Sequence, residues 1–254
     1  SKIALVKKRK GLEDVSYAIL STGNFNEITA QFYTDHVLMT TDPFIVNEML
    51  SLFKFLQKKN KAPENNKIRF DKLLVSQFNM NNRLEKLIDN EIERAKQGAD
   101  AMIRIKVNNL EEPYFISLLY KASQAGVKVN LIIRSVCCIM PGLPGISENV
   151  TVKRLVDRYL EHTRLMIFGA GENAEVIIGS TDLMTRNLYH RIEVCVAIKT
   201  PACKKELIDY FEIQWKDNDK AVVLSSNLEQ KRPEIAGEKI NAQESIYNYL
   251  KNKT

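Results

Sequence analysis

Four polar residues in the second half of the chain have the types and the spacing for phosphoryl chemistry. His162 and Arg164 stand two positions apart at the start of an apolar segment, and Ser180 and Asp182 close the next one. Side chains two positions apart share one face of a strand. An imidazole can act as a nucleophile or a general acid near neutral pH, and a guanidinium neutralises phosphoryl oxygens. A lone histidine here would more often cap or pack at a strand edge, so the context decides.

An internal repeat supplies that context. Each copy has a cation, an apolar segment, a turn, a second apolar segment and a tetrad that ends in Asn or Asp. The first copy comprises residues 1–6 and 17–24, and the second comprises 163–168 and 176–182. An acid follows each tetrad at the same distance, because 11 residues separate Asn24 from Asp35 and 11 separate Asp182 from Glu193. The repeat predicts two equivalent strand pairs, each with its acid beside its own strand entry.

The motif His-x-Arg at 162–164 followed by Gly-Ser-x-Asp at 179–182 resembles the phospholipase D superfamily signature His-x-Lys…Gly-Ser-x-Asn. Arg164 replaces the lysine, and Gly169 stands where the superfamily has an aspartate. A carboxylate such as Glu193 can hold the imidazole in one tautomer. The resemblance implies an α/β fold of phospholipase D-like mixed β-sheet domains flanked by helices and arranged as a pseudo-twofold repeat.

Longer segments narrow the resemblance. They are residues 17–26, 31–43, 123–128, 134–145, 161–164 and 179–188. The first is close to Tyr-x-x-x-Gly-Thr-Gly-Asn-Tyr-Asn, with Ser21 in place of the first Gly and Phe25 in place of the second Tyr. The fourth reads Arg-Ser-Val-Cys-Cys-Ile-Met-Pro-Gly-Leu-Pro-Gly. In this order, the segments resemble the C-terminal catalytic region of the polyphosphate kinase family, and the resemblance extends to about Trp215.

The family resemblance implies a transferase that moves the γ-phosphate of ATP to inorganic polyphosphate, reversibly and through a phosphohistidine. The nucleophile belongs to the first repeat, and alignment with His162 places it just before Ser1. His162 then resembles the second active-site histidine, which is a general acid or a phosphate-stabilising group. The implied cofactor is the Mg²⁺ that accompanies ATP, with ligands outside this chain. The implied partners are ATP or ADP and polyphosphate, with no nucleic acid, and the full-length protein is expected to be a homo-oligomer.

The same resemblance assigns further site residues. Arg134 resembles a phosphate-binding arginine, and Tyr33 resembles the residue that stacks on adenine. Without the resemblance, Arg134 could be an exposed residue at a strand end and Tyr33 a core aromatic. Asp35 and Glu193 are the candidate acids that orient a histidine. The remaining phosphate-site candidates are Lys2, Asn24, Arg164, Asp182 and Arg186.

Strands and helices have to position these residues. Apolar patterns predict strands at 3–6, 17–20, 73–75, 101–107 and 127–133, and strand or mixed segments at 155–160, 165–168, 176–178 and 193–198. Helical spacing predicts helices that begin at Asp42-Pro43 and cover 84–95, 113–125, 204–215 and 241–251. Strands alternating with helices predict α/β layers with a mixed sheet. The polar stretch 57–67 is the expected linker between residues 1–68, the C-terminal half of one catalytic domain, and 69–254, the whole of a second.

Composition restricts the class of protein. The 254 residues are 44% apolar and 27% charged and carry a net charge of +6, which suits a globular protein with a polyanionic partner. No apolar stretch approaches the roughly 20 residues that span a membrane, and the first residues lack a signal-peptide pattern. The four cysteines form no Cys-x-x-Cys pair, so reduced thiols are expected and no metal site. We expect a cytoplasmic protein, with peripheral membrane association as an alternative.

Two other functions fit parts of the pattern. Another phospholipase D-type phosphodiesterase would use the same histidine pair, but the Cys-Cys-x-x-Pro-Gly segment at 137–142 argues against it. A non-enzymatic polyanion-binding module fits the charge alone and leaves the repeat unexplained. His36 and His190 have no partner in the repeat and are predicted to be ordinary polar residues. Because the expected nucleophile precedes Ser1, we expect this chain alone to be inactive.

Overall fold

The computed structural model describes residues 1–10, 13–57, 68–233 and 237–253. The expected linker at 57–67 lies outside these residues apart from Gln57, and so does the turn expected around Gly11. The helices are α1 (Glu27–Ala30), α2 (Pro43–Gln57), α3 (Met80–Lys96), α4 (Pro113–Gln124), α5 (Pro201–Lys216) and α6 (Ala242–Lys251). A 3₁₀ turn covers Gly171–Asn173 and a π-helical turn covers Arg186–His190.

The strands follow the predicted alternation closely. They are β1 (Ile3–Lys10), β2 (Glu13–Ser21), β3 (Tyr33–Thr34), β4 (Val37–Thr40), β5 (Leu73–Val75), β6 (Met102–Val107), β7 (Lys128–Ile133), β8 (Val150–Arg154), β9 (Leu160–Glu161), β10 (Arg164–Phe168), β11 (Glu175–Gly179), β12 (Val194–Ile198), β13 (Val222–Leu224) and β14 (Gln230–Lys231). Apart from β1 and β2, the strands have six residues or fewer, so their places are set by the neighbours with which they pair.

Three sheets organise these strands. The described part of the large sheet has the order β14-β13-β8-β7-β6-β10-β11-β12-β5, in which β6, β7 and β8 are parallel neighbours and the other pairs are antiparallel. A smaller antiparallel sheet has the order β1-β2-β4, and β3 pairs with β9 in parallel. The predicted α/β class, with mixed sheets flanked by helices, is confirmed.

Local sequence explains where two of the helices begin. The Asp42 side chain accepts hydrogen bonds from the backbone N–H groups of Phe44 at 2.8 Å and Ile45 at 3.3 Å, so it caps α2 as the Asp-Pro pair predicts. Asn241 caps α6 in the same way, by accepting from the N–H of Glu244. The predicted helix starts are confirmed at both positions.

The large sheet separates two apolar cores. The residues of β10 alternate between them: Met166 faces the core beneath α3 and α4, and Leu165 faces the core that α2 and α5 cover. Met49 from α2 and Phe211 from α5 belong to this second core. Because α2 lies in the first 57 residues and α5 in the second half, the two parts of the chain bury apolar surface together.

One predicted segment is displaced. Residues 155–160 were expected to be strand or mixed, whereas the strands lie on either side, at Val150–Arg154 and Leu160–Glu161. Pairing decides the outcome, because Val150 and Val152 lie opposite β7 and are buried, while the segment between the two strands carries the polar pair Asp157 and Arg158.

Among the described residues, no helix is both long enough and apolar enough to cross a bilayer.

Gly179 is expected to be irreplaceable because it lies within the large sheet between β10 and β12. A Cβ atom there would lie 2.3 Å from Cys195 Sγ and 2.6 Å from the carbonyl oxygen of Val194. Gly179→Ala should therefore destabilise the fold by about 1–3 kcal/mol through overpacking. The measurement is the midpoint of thermal unfolding. Gly98→Ala is the control, because Gly98 has φ +76° and open space around it, so only backbone strain is added. An equal or smaller fall for Gly179→Ala would contradict this account.

Candidate active site

The imidazole of His162 is held between a carboxylate and a guanidinium. Its Nδ1 lies 2.9 Å from Asp35 Oδ1, and its Nε2 lies 2.9 Å from the NH1 atom of Arg164. Because an ionised carboxylate only accepts and a guanidinium only donates, these contacts select a neutral ring with its proton on Nδ1. Burial lowers the pKa of His162 below its usual value. Asp35 opposes that shift, and the charge of Arg164 adds to it.

The shortest sheet brings this pair together. In the parallel pairing of β3 with β9, Tyr33 lies opposite Leu160 and Thr34 lies opposite Glu161. Asp35 and His162 are the next residues on the two segments, and their side chains meet. The ring of Tyr33 lies against the imidazole, with 4.7 Å between the ring centroids and 53° between the planes. Two candidate residues from the first repeat therefore surround the histidine of the second.

The expectation that Glu193 holds the His162 imidazole is wrong. Glu193 instead accepts hydrogen bonds from Ser180 Oγ at 2.5 Å and from Asn187 Nδ2 at 3.2 Å, and its Oε2 lies 3.5 Å from the amino group of Ser1. The prediction placed each acid beside the first strand of its own repeat, but the structure shows the opposite. Asp35 of the first repeat contacts His162, which precedes β10, and Glu193 of the second repeat lies beside Ser1, which precedes β1. The two halves face each other, so each acid reaches across the interface between them.

The repeat itself is reproduced in the hydrogen bonds. Thr22 Oγ1 donates to Asp35 Oδ1 at 2.6 Å, as Ser180 Oγ donates to Glu193. The residue after each acid donates its N–H back to the same hydroxyl, over 3.0 Å in the first half and 3.2 Å in the second. Both hydroxyl–acid pairs are 13 residues apart. The two halves are therefore built alike around their acids.

Several cations gather beside the imidazole. Arg164 donates from Nε to Asp182 Oδ1 at 3.3 Å and from NH1 to the carbonyl oxygen of Thr22 at 3.1 Å. Burial lowers the pKa of Lys2 and that of Arg134, and in both cases the charge of Arg164 lowers it further. Lys2 and Arg134 therefore both lie near the guanidinium of Arg164. An anion bound there would relieve their repulsion.

Asn108 connects these groups, and sequence reasoning missed it. Its Oδ1 accepts from Arg134 Nε at 2.8 Å, its Nδ2 donates to the carbonyl oxygen of His162 at 3.4 Å, and its N–H donates to Asp182 Oδ1 at 2.8 Å. Asn108 thus connects the side chain of Arg134 to the backbone of His162. The available signal was position, because Asn108 and Arg134 each follow a parallel strand, and the carboxyl ends of such strands meet at one edge.

The remaining candidates lie further out. Asn24 and Arg186 are exposed, and among the described residues neither side chain forms a hydrogen bond or ion pair with the other candidates. His190 is exposed at the end of the π-helical turn. His36 is half-buried, with its Nδ1 3.0 Å from Thr163 Oγ1, and desolvation of its ring followed by the charge of Lys106 lowers its pKa to about 4. It is therefore neutral near pH 7.

Because Asp35 contacts His162 and Glu193 does not, substitutions of these two acids should affect the His162 pKa differently. Asp35→Asn in the full-length protein should lower it further, because an amide stabilises the imidazolium less than a carboxylate. Glu193→Gln is the matched control and should leave it unchanged. Deuterium exchange at the imidazole Cε1 position, followed across pH by mass spectrometry, gives the pKa of each histidine. Equal shifts in both variants, or a shift in Glu193→Gln alone, would contradict the observed pairing.

Known proteins resemble the whole of this arrangement. The family model of polyphosphate kinase C-terminal domain 1 matches residues 1–62, and that of polyphosphate kinase C-terminal domain 2 matches residues 73–243. The chain is 40% identical over 253 residues to polyphosphate kinase from Vibrio parahaemolyticus, across 99% of this chain and 36% of that protein. It is 39% identical over 252 residues to polyphosphate kinase from Escherichia coli K12, with the same coverage.

A solved structure agrees. The crystal structure of polyphosphate kinase from Porphyromonas gingivalis superposes with a TM-score of 0.89 and 41% sequence identity, over 99% of this chain and 38% of that one. The chain therefore spans little more than a third of the length of the relatives that it matches. Both repeats, with the acids and cations described above, fall within these matches. This chain belongs to the polyphosphate kinase family.

Proposed function

We propose that the full-length protein transfers the γ-phosphate of ATP to inorganic polyphosphate, and runs the reverse reaction, through a phosphohistidine. Relatives named polyphosphate kinase support the substrate class. The observation that carries the proposal is the imidazole of His162, which contacts Asp35 on one side and Arg164 on the other. The charge of Arg164 also acts on Lys2 and Arg134, so two further cations lie near this guanidinium. Positioned charge is the main requirement of phosphoryl transfer, because the transition state spreads negative charge over the phosphoryl oxygens.

The nucleophile of this proposal is a histidine immediately before Ser1. The amino group of Ser1 lies 2.9 Å from the carbonyl oxygen of Ile192 and 3.5 Å from Glu193 Oε2. By the repeat, Glu193 would hold that preceding histidine as Asp35 holds His162. A ring nitrogen then attacks the γ-phosphorus, a P–N bond forms, and the bond from that phosphorus to the bridging oxygen breaks with release of ADP. In a second step, a terminal oxygen of polyphosphate attacks the same phosphorus, the P–N bond breaks and the free histidine is regenerated.

His162 is proposed to act as the general acid in these steps. An oxygen that leaves phosphorus gains negative charge, and a proton donated from Nε2 neutralises it. Donation requires the ring to carry protons on both nitrogens, and the Asp35 carboxylate stabilises that imidazolium. The lowered pKa of His162 makes the protonated ring a stronger acid than free imidazole.

The nucleotide is proposed to stack on Tyr33. This ring contacts His162 on one side and lines a cavity of about 380 Å³ whose walls include Tyr159 and Tyr247. Aromatic walls suit a nucleobase, and stacking there would direct the phosphates toward the cations. Mg²⁺ bound to the nucleotide would neutralise phosphate charge. By the family resemblance, we propose that the protein ligands of this ion lie elsewhere in the full-length protein.

The repeat also supports the proposed division of the chain. Ile19 and Met39 lie on the outer face of the β1-β2-β4 sheet, where Met39 is 66% exposed. Their counterparts Ile177 and Ala197 belong to, or pack against, the core beneath α3 and α4. We therefore propose that residues 1–68 are half of a domain, whose other half covers this apolar face in the full-length protein.

His162→Ala in the full-length enzyme is expected to lower kcat by roughly two to four orders of magnitude, because a general acid contributes about that factor. The measurement is the rate of polyphosphate formation from ATP. His190→Ala is the control, since His190 is exposed and lies outside the cluster. Unchanged turnover in His162→Ala would make this histidine structural, and absence of polyphosphate formation by the wild-type protein would refute the proposed function.

The 254-residue chain alone is expected to show no ATP-dependent polyphosphate synthesis. Without a nucleophile, only positioning and charge stabilisation remain, and these do not transfer a phosphoryl group covalently. Weak binding of phosphate or sulfate near Arg134 and His162 should persist. The assay compares the isolated chain with the full-length protein, after circular dichroism has shown that the chain is folded. Synthesis by the isolated chain would overturn the placement of the nucleophile.

A further inference from the structure

The residue before His162 carries a buried carboxylate that the proposed reaction does not use. Glu161 is 3% exposed, and its ion-pair partner Lys106, at 2.7 Å, is 2% exposed. Burial raises the pKa of Glu161, but the charge of Lys106 and several hydrogen-bond donors outweigh this and hold it at about 2. Burial likewise lowers the pKa of Lys106, and Glu161 more than reverses that shift. The pair is therefore charged at neutral pH.

The carboxylate joins elements from both parts of the chain. Its Oε2 accepts from Lys106 Nζ at 2.7 Å, Gln214 Nε2 at 2.5 Å, Thr34 Oγ1 at 3.2 Å and Tyr210 OH at 3.2 Å, and its Oε1 accepts from Gln243 Nε2 at 2.8 Å. These donors lie on β6, α5, β3 and α6. Thr34, on β3, is the contribution of the first 57 residues, so this hydroxyl ties the first repeat to the buried pair in the second.

Thr34 is also the residue that precedes Asp35. The ladder between β3 and β9 consists of two residue pairs, and Thr34 lies opposite Glu161 in the second. A slip of one residue along a strand moves a side chain by about 3.3 Å and turns it to the other face. Such a slip would remove Asp35 from His162. Side-chain contacts reinforce the register of so short a ladder. The Thr34 hydroxyl lies 3.2 Å from Glu161 Oε2 and 3.3 Å from the carbonyl oxygen of Leu160, and Thr163 Oγ1 donates to the carbonyl oxygen of Thr34 at 3.1 Å.

We infer that Glu161 is a positioning residue, whose bond to Thr34 sets the register of β3 against β9 and so holds Asp35 against His162. The buried ion pair of Glu161 and Lys106 is not needed for stability, because apolar residues of similar size often stabilise a core equally well. Buried polar contacts can instead specify the register of one element against another. The inference rests on the proposed function only where it concerns turnover. The contact between Asp35 and His162 can be followed without any activity.

Thr34→Val in the full-length protein tests whether the contact between Thr34 and Glu161 positions Asp35. The substitution removes the hydroxyl with little change in side-chain shape and no change in charge. The charged groups that face His162, which are Asp35, Arg164 and Lys2, stay the same. A loosened carboxylate stabilises the imidazolium less, so the His162 pKa should fall below the wild-type value. Thr34→Ser keeps the hydroxyl and should retain the wild-type pKa. The readout is deuterium exchange at the imidazole Cε1 position followed by mass spectrometry.

Glu161→Gln and the double variant complete a thermodynamic cycle. If Thr34 and Glu161 act through one contact, Thr34→Val should lower the His162 pKa less in the Glu161→Gln background than in the wild type. Glu212→Gln is the structural control, because Glu212 forms the 2.7 Å ion pair with buried Arg104 away from the histidine. It should lower the unfolding temperature and leave the His162 pKa unchanged. If Glu161→Gln does not fold, the comparison of Thr34→Val with Thr34→Ser still decides.

Turnover gives the second readout. Thr34→Val should lower kcat about tenfold to a hundredfold, the range expected when a catalytic group is misplaced, with little change in KM for ATP. The pH above which activity falls should be lower in this variant, because His162 loses its second ring proton at a lower pH. A wild-type protein without polyphosphate kinase activity would refute the proposed function and leave the pKa comparison intact. A wild-type His162 pKa in Thr34→Val, with a lower unfolding temperature alone, would overturn the inference.

Discussion

The candidate site depends on one contact between the two halves of the chain, in which the Asp35 carboxylate meets Nδ1 of His162. Both residues follow directly after strands that pair for two residues each, so their meeting depends on the register of β3 against β9. The apolar cores hold the halves together over a large surface but do not specify this alignment. Polar contacts do so: the Thr22 hydroxyl orients Asp35 from the first half, and Asn108 contacts the His162 backbone from the second.

Charge balance explains how so many ionisable groups lie together. Asp182 pairs with Arg164, and Asp35 pairs with His162. The pKa of Lys2 and that of Arg134 are lowered first by burial and then by the charge of Arg164, so both cations lie close to a like charge. In the proposed reaction, a bound phosphate would place negative charge beside these cations and relieve their repulsion. Their charges would also stabilise the negative charge that develops as a P–O bond breaks.

The sequence predicted the positions of helices and strands better than it predicted which side chains contact one another. The apolar period and the Asp42 and Asn241 caps are local, so they located strands and helices to within a few residues. The equal spacing from Asn24 to Asp35 and from Asp182 to Glu193 found both acids, but spacing along the chain cannot show which histidine an acid reaches across an interface. Asn108 and Glu161 were missed for a related reason, since a polar residue at a strand end gains its role from the elements packed around it.

The position of the covalent phosphate distinguishes the proposed mechanism from its alternatives. The full-length protein is incubated with γ-labelled ATP, quenched at alkaline pH to preserve an acid-labile phosphohistidine, and digested for mass spectrometry. We expect one labelled histidine, at the position immediately before Ser1, with His162 unlabelled in the same sample. Labelling of His162, labelling of a carboxylate, or turnover without any covalent phosphate would contradict the proposed mechanism.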